Sequence, residues 1–67
     1  MTAMTKVKIL SVFKEAAPLD ISIAEVSRLV EVSDATSAMY IRILEAEKKI
    51  RHTRVVGRSK MFQYIDE

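Results

Sequence analysis

Apolar residues along this 67-residue chain change their period once. Up to about Lys49 they recur every three or four positions; from Ile50 onward they partly alternate. The first stretch, Thr5 to Ala17, places Ile9, Leu10, Phe13, Ala16 and Ala17 at helical spacing, with Lys6, Lys8, Lys14 and Glu15 on other faces. That pattern predicts an amphipathic helix over 5–17. Thr5 is a suitable N-cap, and Pro18 stops the helix because a residue before proline disfavours the α region. Leu19-Asp20-Ile21 then reads as short and extended.

Ser22-Ile23-Ala24-Glu25 has the form of a capping box, in which the Ser22 hydroxyl takes the Glu25 amide and the Glu25 carboxylate reaches back to the Ser22 amide. A second helix over 23–30 follows, with an apolar stripe of Ile23, Val26, Leu29 and Val30. Glu31-Val32-Ser33 breaks it. Ser33 caps a third helix over 34–48, and Asp34 supplies a negative charge at the positive end of its dipole. Ile50 to Val56 and Met61 to Ile65 flank a polar tip, Gly57-Arg58-Ser59-Lys60. Two strand-like runs around such a tip predict a β-hairpin over 50–65, with Phe62 and Tyr64 turned to the core because Gln63 interrupts the opposite face. The expected class is mainly α with a C-terminal β-hairpin (α+β), in a single domain of residues 1–67.

Composition narrows the function. There is no Cys, one His, one Gly and one Pro. A disulfide framework is excluded, and a zinc-stapled fold lacks its ligands. One Gly leaves no phosphate-cradling loop, and His52 has neither metal partners nor a catalytic constellation around it. An enzyme is therefore not expected, nor a cofactor or metal. Without a signal-peptide pattern or a run of about 18 apolar residues, the expectation is a cytoplasmic protein with no membrane partner. The net charge of +2 conceals a strong polarity. Lys48, Lys49, Arg51, Arg54, Arg58 and Lys60 fall within 13 residues that hold no acid, while the other 54 carry five basic and nine acidic residues. An anionic partner is expected at the basic segment.

The order helix, short break, helix, hairpin carries a resemblance. Ile23-Ala24-Glu25-Val26-Ser27-Arg28-Leu29-Val30-Glu31-Val32-Ser33-Asp34-Ala35-Thr36-Ser37 resembles the "aELa-ll-gvS-aTvS" pattern of winged helix-turn-helix transcription regulators. Ile41-Arg42-Ile43-Leu44-Glu45 looks like their "L-rLe" segment, and Ile50-Arg51-His52 like the "LIrr" that leads into a wing tipped by Gly57-Arg58-Ser59. The style is that of small archaeal and bacterial regulators related to the multiple-antibiotic-resistance and arsenic-repressor families, over residues 6 to 66. Three departures stand out. Glu31 occupies a turn position that is often Gly, Lys48 or Lys49 stands where a Gly often ends the third helix, and Asp34 sits where Arg is common.

The resemblance implies three helices and a two-stranded wing, with residues 34–48 as a recognition helix for the major groove of double-stranded DNA. Its DNA-facing residues would be Ser33, Asp34, Thr36, Ala38, Met39 and Arg42, with Tyr40 on the flank. Arg54, Arg58, Ser59 and Lys60 of the wing would meet phosphates or the minor groove. Ser33 and Thr36 offer hydroxyls, Ala38 and Met39 apolar contact with thymine methyls, and Arg42 a guanidinium. The function so implied is sequence-specific transcription regulation, in a nucleoid-associated protein without a small-molecule effector. The alternative is a winged-helix protein-interaction module that binds no DNA, which the apolar Ala38-Met39-Ile43 surface and Asp34 would suit. Because a core this small is marginal, a homodimer through the first helix and the Met1–Met4 lead is also expected.

Overall fold

The computed structural model describes residues 2–66, and side chains from residue 4. Met1 of the N-terminal lead and Glu67 of the charged tail lie outside the described residues, as do the side chains of Thr2 and Ala3. Six elements follow one another: α1 (Thr2–Ala16), β1 (Ile21–Ser22), α2 (Ile23–Val30), α3 (Asp34–Ala46), β2 (Ile50–Val56) and β3 (Ser59–Tyr64). The class is α+β, with three helices and one antiparallel sheet.

The expected two-stranded hairpin is corrected to a three-stranded sheet of order β1-β3-β2. After Pro18 the chain runs extended beside β3, pairing Ile21 with Phe62 and Ser22 with Met61. This occupies an edge of β3 whose amides and carbonyls would otherwise be open. On the other side, Ile50 pairs with Tyr64, Arg51 with Gln63 and His52 with Phe62. Thr53 is then skipped, and Arg54 pairs with Met61, Val55 with Lys60 and Val56 with Ser59. The skip is a β-bulge, which reverses the alternation of faces along β2. Gly57 opens the two-residue loop at φ 60°, while Arg58 keeps a negative φ. That is the pattern of a type II′ turn, in which Gly holds the first central position.

Both helix-to-helix and helix-to-strand exits use a left-handed residue. At the end of α2, Glu31 sits at φ 63°, ψ 48°, and the Glu31 and Val32 amides both bond the Ser27 carbonyl. At the end of α3, Lys48 is at φ 63°, its amide bonds the Glu45 carbonyl, and the Lys49 amide bonds the Leu44 carbonyl. These six-to-one closures are Schellman motifs. The αL step at Lys48 ends α3 at Ala46 rather than at Lys48. It is the same conformation that a Gly often supplies, adopted here by Glu and Lys. The expected first helix likewise moves from 5–17 to Thr2–Ala16.

The core takes Ile9 and Phe13 from α1, Val26 from α2, Tyr40, Ile41 and Leu44 from α3, Ile50 from β2 and Phe62 from β3. Phe62 faces inward as expected, and Tyr64 packs beside it with Lys14 Nζ 5.8 Å from its ring centre. Leu29 departs from the expected stripe. It is 56% exposed, because α2 turns only its Val26 side fully inward. One buried polar contact locks α2 to α3: the Ser27 and Ser37 hydroxyls share a 2.8 Å hydrogen bond, and Ser27 Oγ also bonds the Ile23 carbonyl at 3.0 Å. No helix among the described residues is long and apolar enough to cross a membrane.

Candidate nucleic-acid interface

Helix α3 owes its start to Ser33, whose Oγ accepts the Thr36 amide at 3.1 Å. Ser33 also donates to Thr36 Oγ1 at 3.0 Å. The Ser33 hydroxyl is thus spent on the cap, while Thr36, an acceptor in that bond, keeps its own proton for a second partner. Along α3, positions 37, 40, 41 and 44 form the buried stripe. Tyr40, expected to flank the DNA-facing surface, is therefore corrected to a core residue, 6% exposed. Opposite that stripe the helix presents Ala35, Met39, Arg42, Ile43 and Ala46, all exposed, with Met39 at 48%. Ala38 is half-buried on the side nearer the sheet.

Beyond the core packing of Ile50 against α3, the tip half of the hairpin approaches this helix around Lys60. Cross-strand partners share a face of the sheet and successive residues alternate, so Lys60 and Val55 lie on the face of buried Phe62. Lys60 there lines a shallow depression of about 100 Å³ together with Ala38, Arg42, Glu45 and Phe62. A second depression, about 420 Å³, brings Asp34 at the start of α3 together with Arg58, Ser59 and Lys60 of the tip. Ile23 and Lys60 line both, so the two form one trough from Glu45 and Arg42 to Asp34 and Arg58. Arg42, Arg58 and Lys60 make no ion pair among the described residues. Two carboxylates share the trough with these three cations.

Arg54 lies elsewhere. Beyond the bulge it faces away from Phe62, and its Nε donates to Asp20 Oδ2 at 3.0 Å. Thr53 Oγ1 donates to the same oxygen at 2.6 Å. The Asp20 carboxyl is held below its ordinary range, first by the Thr53 hydrogen bond and then by Arg54. Arg51, on the same face, donates twice to Gln63 Oε1, at 3.2 and 3.0 Å, and the Gln63 amide in turn donates to the Pro18 carbonyl. Lys48 and Lys49 stand at the α3 exit. The six basic residues of the 48–60 segment thus fall in three places, and only Arg58 and Lys60 join α3. Sequence reasoning missed Asp20 as the partner of Arg54 because 34 residues separate them.

Comparison with protein-family models, curated proteins and solved structures finds no match.

Proposed function

We propose that this chain is a winged-helix DNA-binding module acting in transcription regulation, with α3 in the major groove and the β2–β3 hairpin as its wing. The observation that carries the reading is the trough joining α3 to the hairpin tip, with Arg42, Arg58 and Lys60 free of ion pairs among the described residues. An α-helix fits the major groove, and outward Ala35 and Ala46 let its backbone approach the groove floor. Arg42 at the centre of the face suits guanine O6 and N7, and Met39 suits a thymine methyl. Arg58 and Lys60 at the tip suit phosphates, which set position and affinity rather than sequence. Thr36 contributes its remaining proton to a phosphate or base, and Ser59, half-buried at the tip, sits between the two cations.

Two cations meeting phosphates release about two counterions, so log affinity should fall against log salt with a slope of about −1.8 per chain. The test is a fluorescence-anisotropy titration of a mixed duplex at two salt concentrations. Binding that weakens with salt on that scale supports the reading; no binding at low salt, or binding indifferent to salt, refutes it.

A second reading has its own observation. The outward face of α3 is apolar around Arg42, with Met39 and Ile43 both exposed, which suits a protein partner. Under that reading Met39→Asp abolishes partner capture and the duplex titration is flat.

A further inference from the structure

Between α1 and α2 runs an open groove that shares no lining residue with the trough of α3 and the hairpin. Its larger stretch, about 590 Å³, takes its apolar lining from Val12, Ala16, Ile21, Leu29 and Met61. Through Val12, Glu15 and Leu29 it continues into a stretch of about 480 Å³ that reaches Val7 and Val30. Val7 and Leu29 are 63% and 56% exposed, so both ends of the groove offer large apolar side chains to a partner. Apolar patches rimmed by polar residues mark interaction sites.

The rim of this groove is acidic. Glu15, Asp20 and Glu25 line the larger stretch, and no cation does. Asp20 and Glu25 each hold one internal partner, Arg54 and Arg28, whereas Glu15 makes no ion pair among the described residues. At the far end Lys8 stands with Glu31. The whole lining thus carries four carboxylates and one lysine, in a chain whose net charge is +2. A duplex, an anionic membrane and a second copy that turns the same lining inward all bring like charge to it. An apolar surface bordered by positive charge complements it instead. The α1 side of the groove, from Val7 to Ala16, is about 14 Å long at about 1.5 Å per residue, which matches a helix of about ten residues. We propose that the groove takes an amphipathic helix of another protein, with apolar side chains at i, i+3 or i+4 and i+7 against Val12, Leu29 and Met61. Lys or Arg at one end of that helix lies over Glu15, Asp20 and Glu25. This is the helix-in-groove mode, in which spaced apolar anchors supply affinity, and the charged rim sets the partner's sign and direction.

Three synthetic peptides of about 16 residues, long enough to hold a helix, test this when titrated onto the whole chain and followed by amide chemical shifts. The first carries Leu at the anchor spacing and Lys at one end. The second has Glu in place of Lys, and the third keeps the Lys but scatters the Leu around the helix. The Lys peptide should saturate below about 1 mM, shifting Val7–Ala16, Ile21–Leu29 and Met61 and leaving Arg42 and Arg58 unmoved. At those groove amides the other two peptides should each bind about tenfold more weakly. Glu15→Gln should weaken the Lys peptide about two- to fivefold, and Leu29→Ala about threefold or more. Both side chains are exposed, so circular dichroism melts should stay within about a few degrees of wild type. No saturable binding of the Lys peptide overturns the inference, as do equal binding of the Lys and Glu peptides at the groove and shifts confined to α3 and the hairpin. Glu15→Gln and Leu29→Ala that both bind as wild type does overturn it too. So does a wild type that sediments as a dimer and is made monomeric by Leu29→Ala, because a second copy then fills the groove. The duplex titration is read at the trough and succeeds or fails independently.

Discussion

Replacing Glu31 by Gly should stabilise the fold. Glu31 is at φ 63°, ψ 48°, in the left-handed region, where it closes the Schellman motif of α2 through two amides on the Ser27 carbonyl. An L-residue with a Cβ in that region loses about 1–2 kcal/mol relative to Gly. Gly in turn gives the unfolded chain more freedom, which returns about 0.4–1 kcal/mol. The side chain is exposed and makes no ion pair among the described residues, so little else is lost. The net gain should be about 0.5–1 kcal/mol, or roughly 2–8 °C in Tm for a domain of this size. Urea unfolding followed by circular dichroism measures it, with Glu31→Ala as the control, because Ala keeps the Cβ and should bring no gain. Lys48→Gly, at the second left-handed exit, should add a similar increment, reduced by a few tenths of a kcal/mol for the lost cation at the end of α3. If Glu31→Gly is no more stable than Glu31→Ala, the assignment of strain to this residue is wrong.

Three further outcomes follow from particular contacts. Asp20→Asn should free Arg54 and steepen the salt dependence of duplex binding by about one unit of slope; an unchanged slope would mean that Arg54 does not reach phosphate even when released. The same variant tests the titration of Asp20. A carboxyl whose folded pKa is depressed adds stability that is full above its unfolded value, about 3.9, and is lost as pH falls through the folded value. The stability gap between wild type and Asp20→Asn should therefore be present at neutral pH and close on acidification below about pH 4; a gap that widens in acid would contradict the contact. Ser37→Ala should cost about 0.5–1.5 kcal/mol, since it removes one buried hydrogen bond while the Ser27 hydroxyl keeps its bond to the Ile23 carbonyl, and adding Ser27→Ala should cost less than the two single losses combined. Once a bound sequence has been selected, replacing its thymines by uracil, which removes only the 5-methyl group, should weaken wild type but leave Met39→Ala indifferent; equal weakening of both would remove Met39 from base contact.

Where the sequence was informative, the signal was local. Periodicity located three helices and the hairpin, and Ser22 and Ser33 cap as their positions suggest, each taking the amide three residues on. Only half of the capping box forms, because the Glu25 carboxylate turns to Arg28 instead of back to Ser22. Glu31 was recognisable as a misfit from the residue that usually occupies its place, and its left-handed backbone is the physical content of that misfit. What was hidden depends on contacts between distant segments. A two-residue strand such as β1 has no room for an alternating pattern, and it exists because β3 offers an edge. Thr53 gives no mark of a bulge, yet the bulge sends Arg54 to the face where Asp20 waits. Tyr40 and Leu29 are both at helical spacing from apolar neighbours; packing buries the first and leaves the second in the α1–α2 groove. The basic run from Lys48 to Lys60 was legible as charge, and its division among three surfaces was not.

The central claim is that α3 and the hairpin tip form one nucleic-acid surface. Amide chemical-shift mapping on addition of a duplex at low salt tests it residue by residue. Shifts should concentrate at Ser33–Arg42 and Val56–Lys60, with α1 and the Arg51–Gln63 face unmoved. Shifts centred on Met4–Glu15 or on Arg51 and Gln63, with α3 silent, would contradict it.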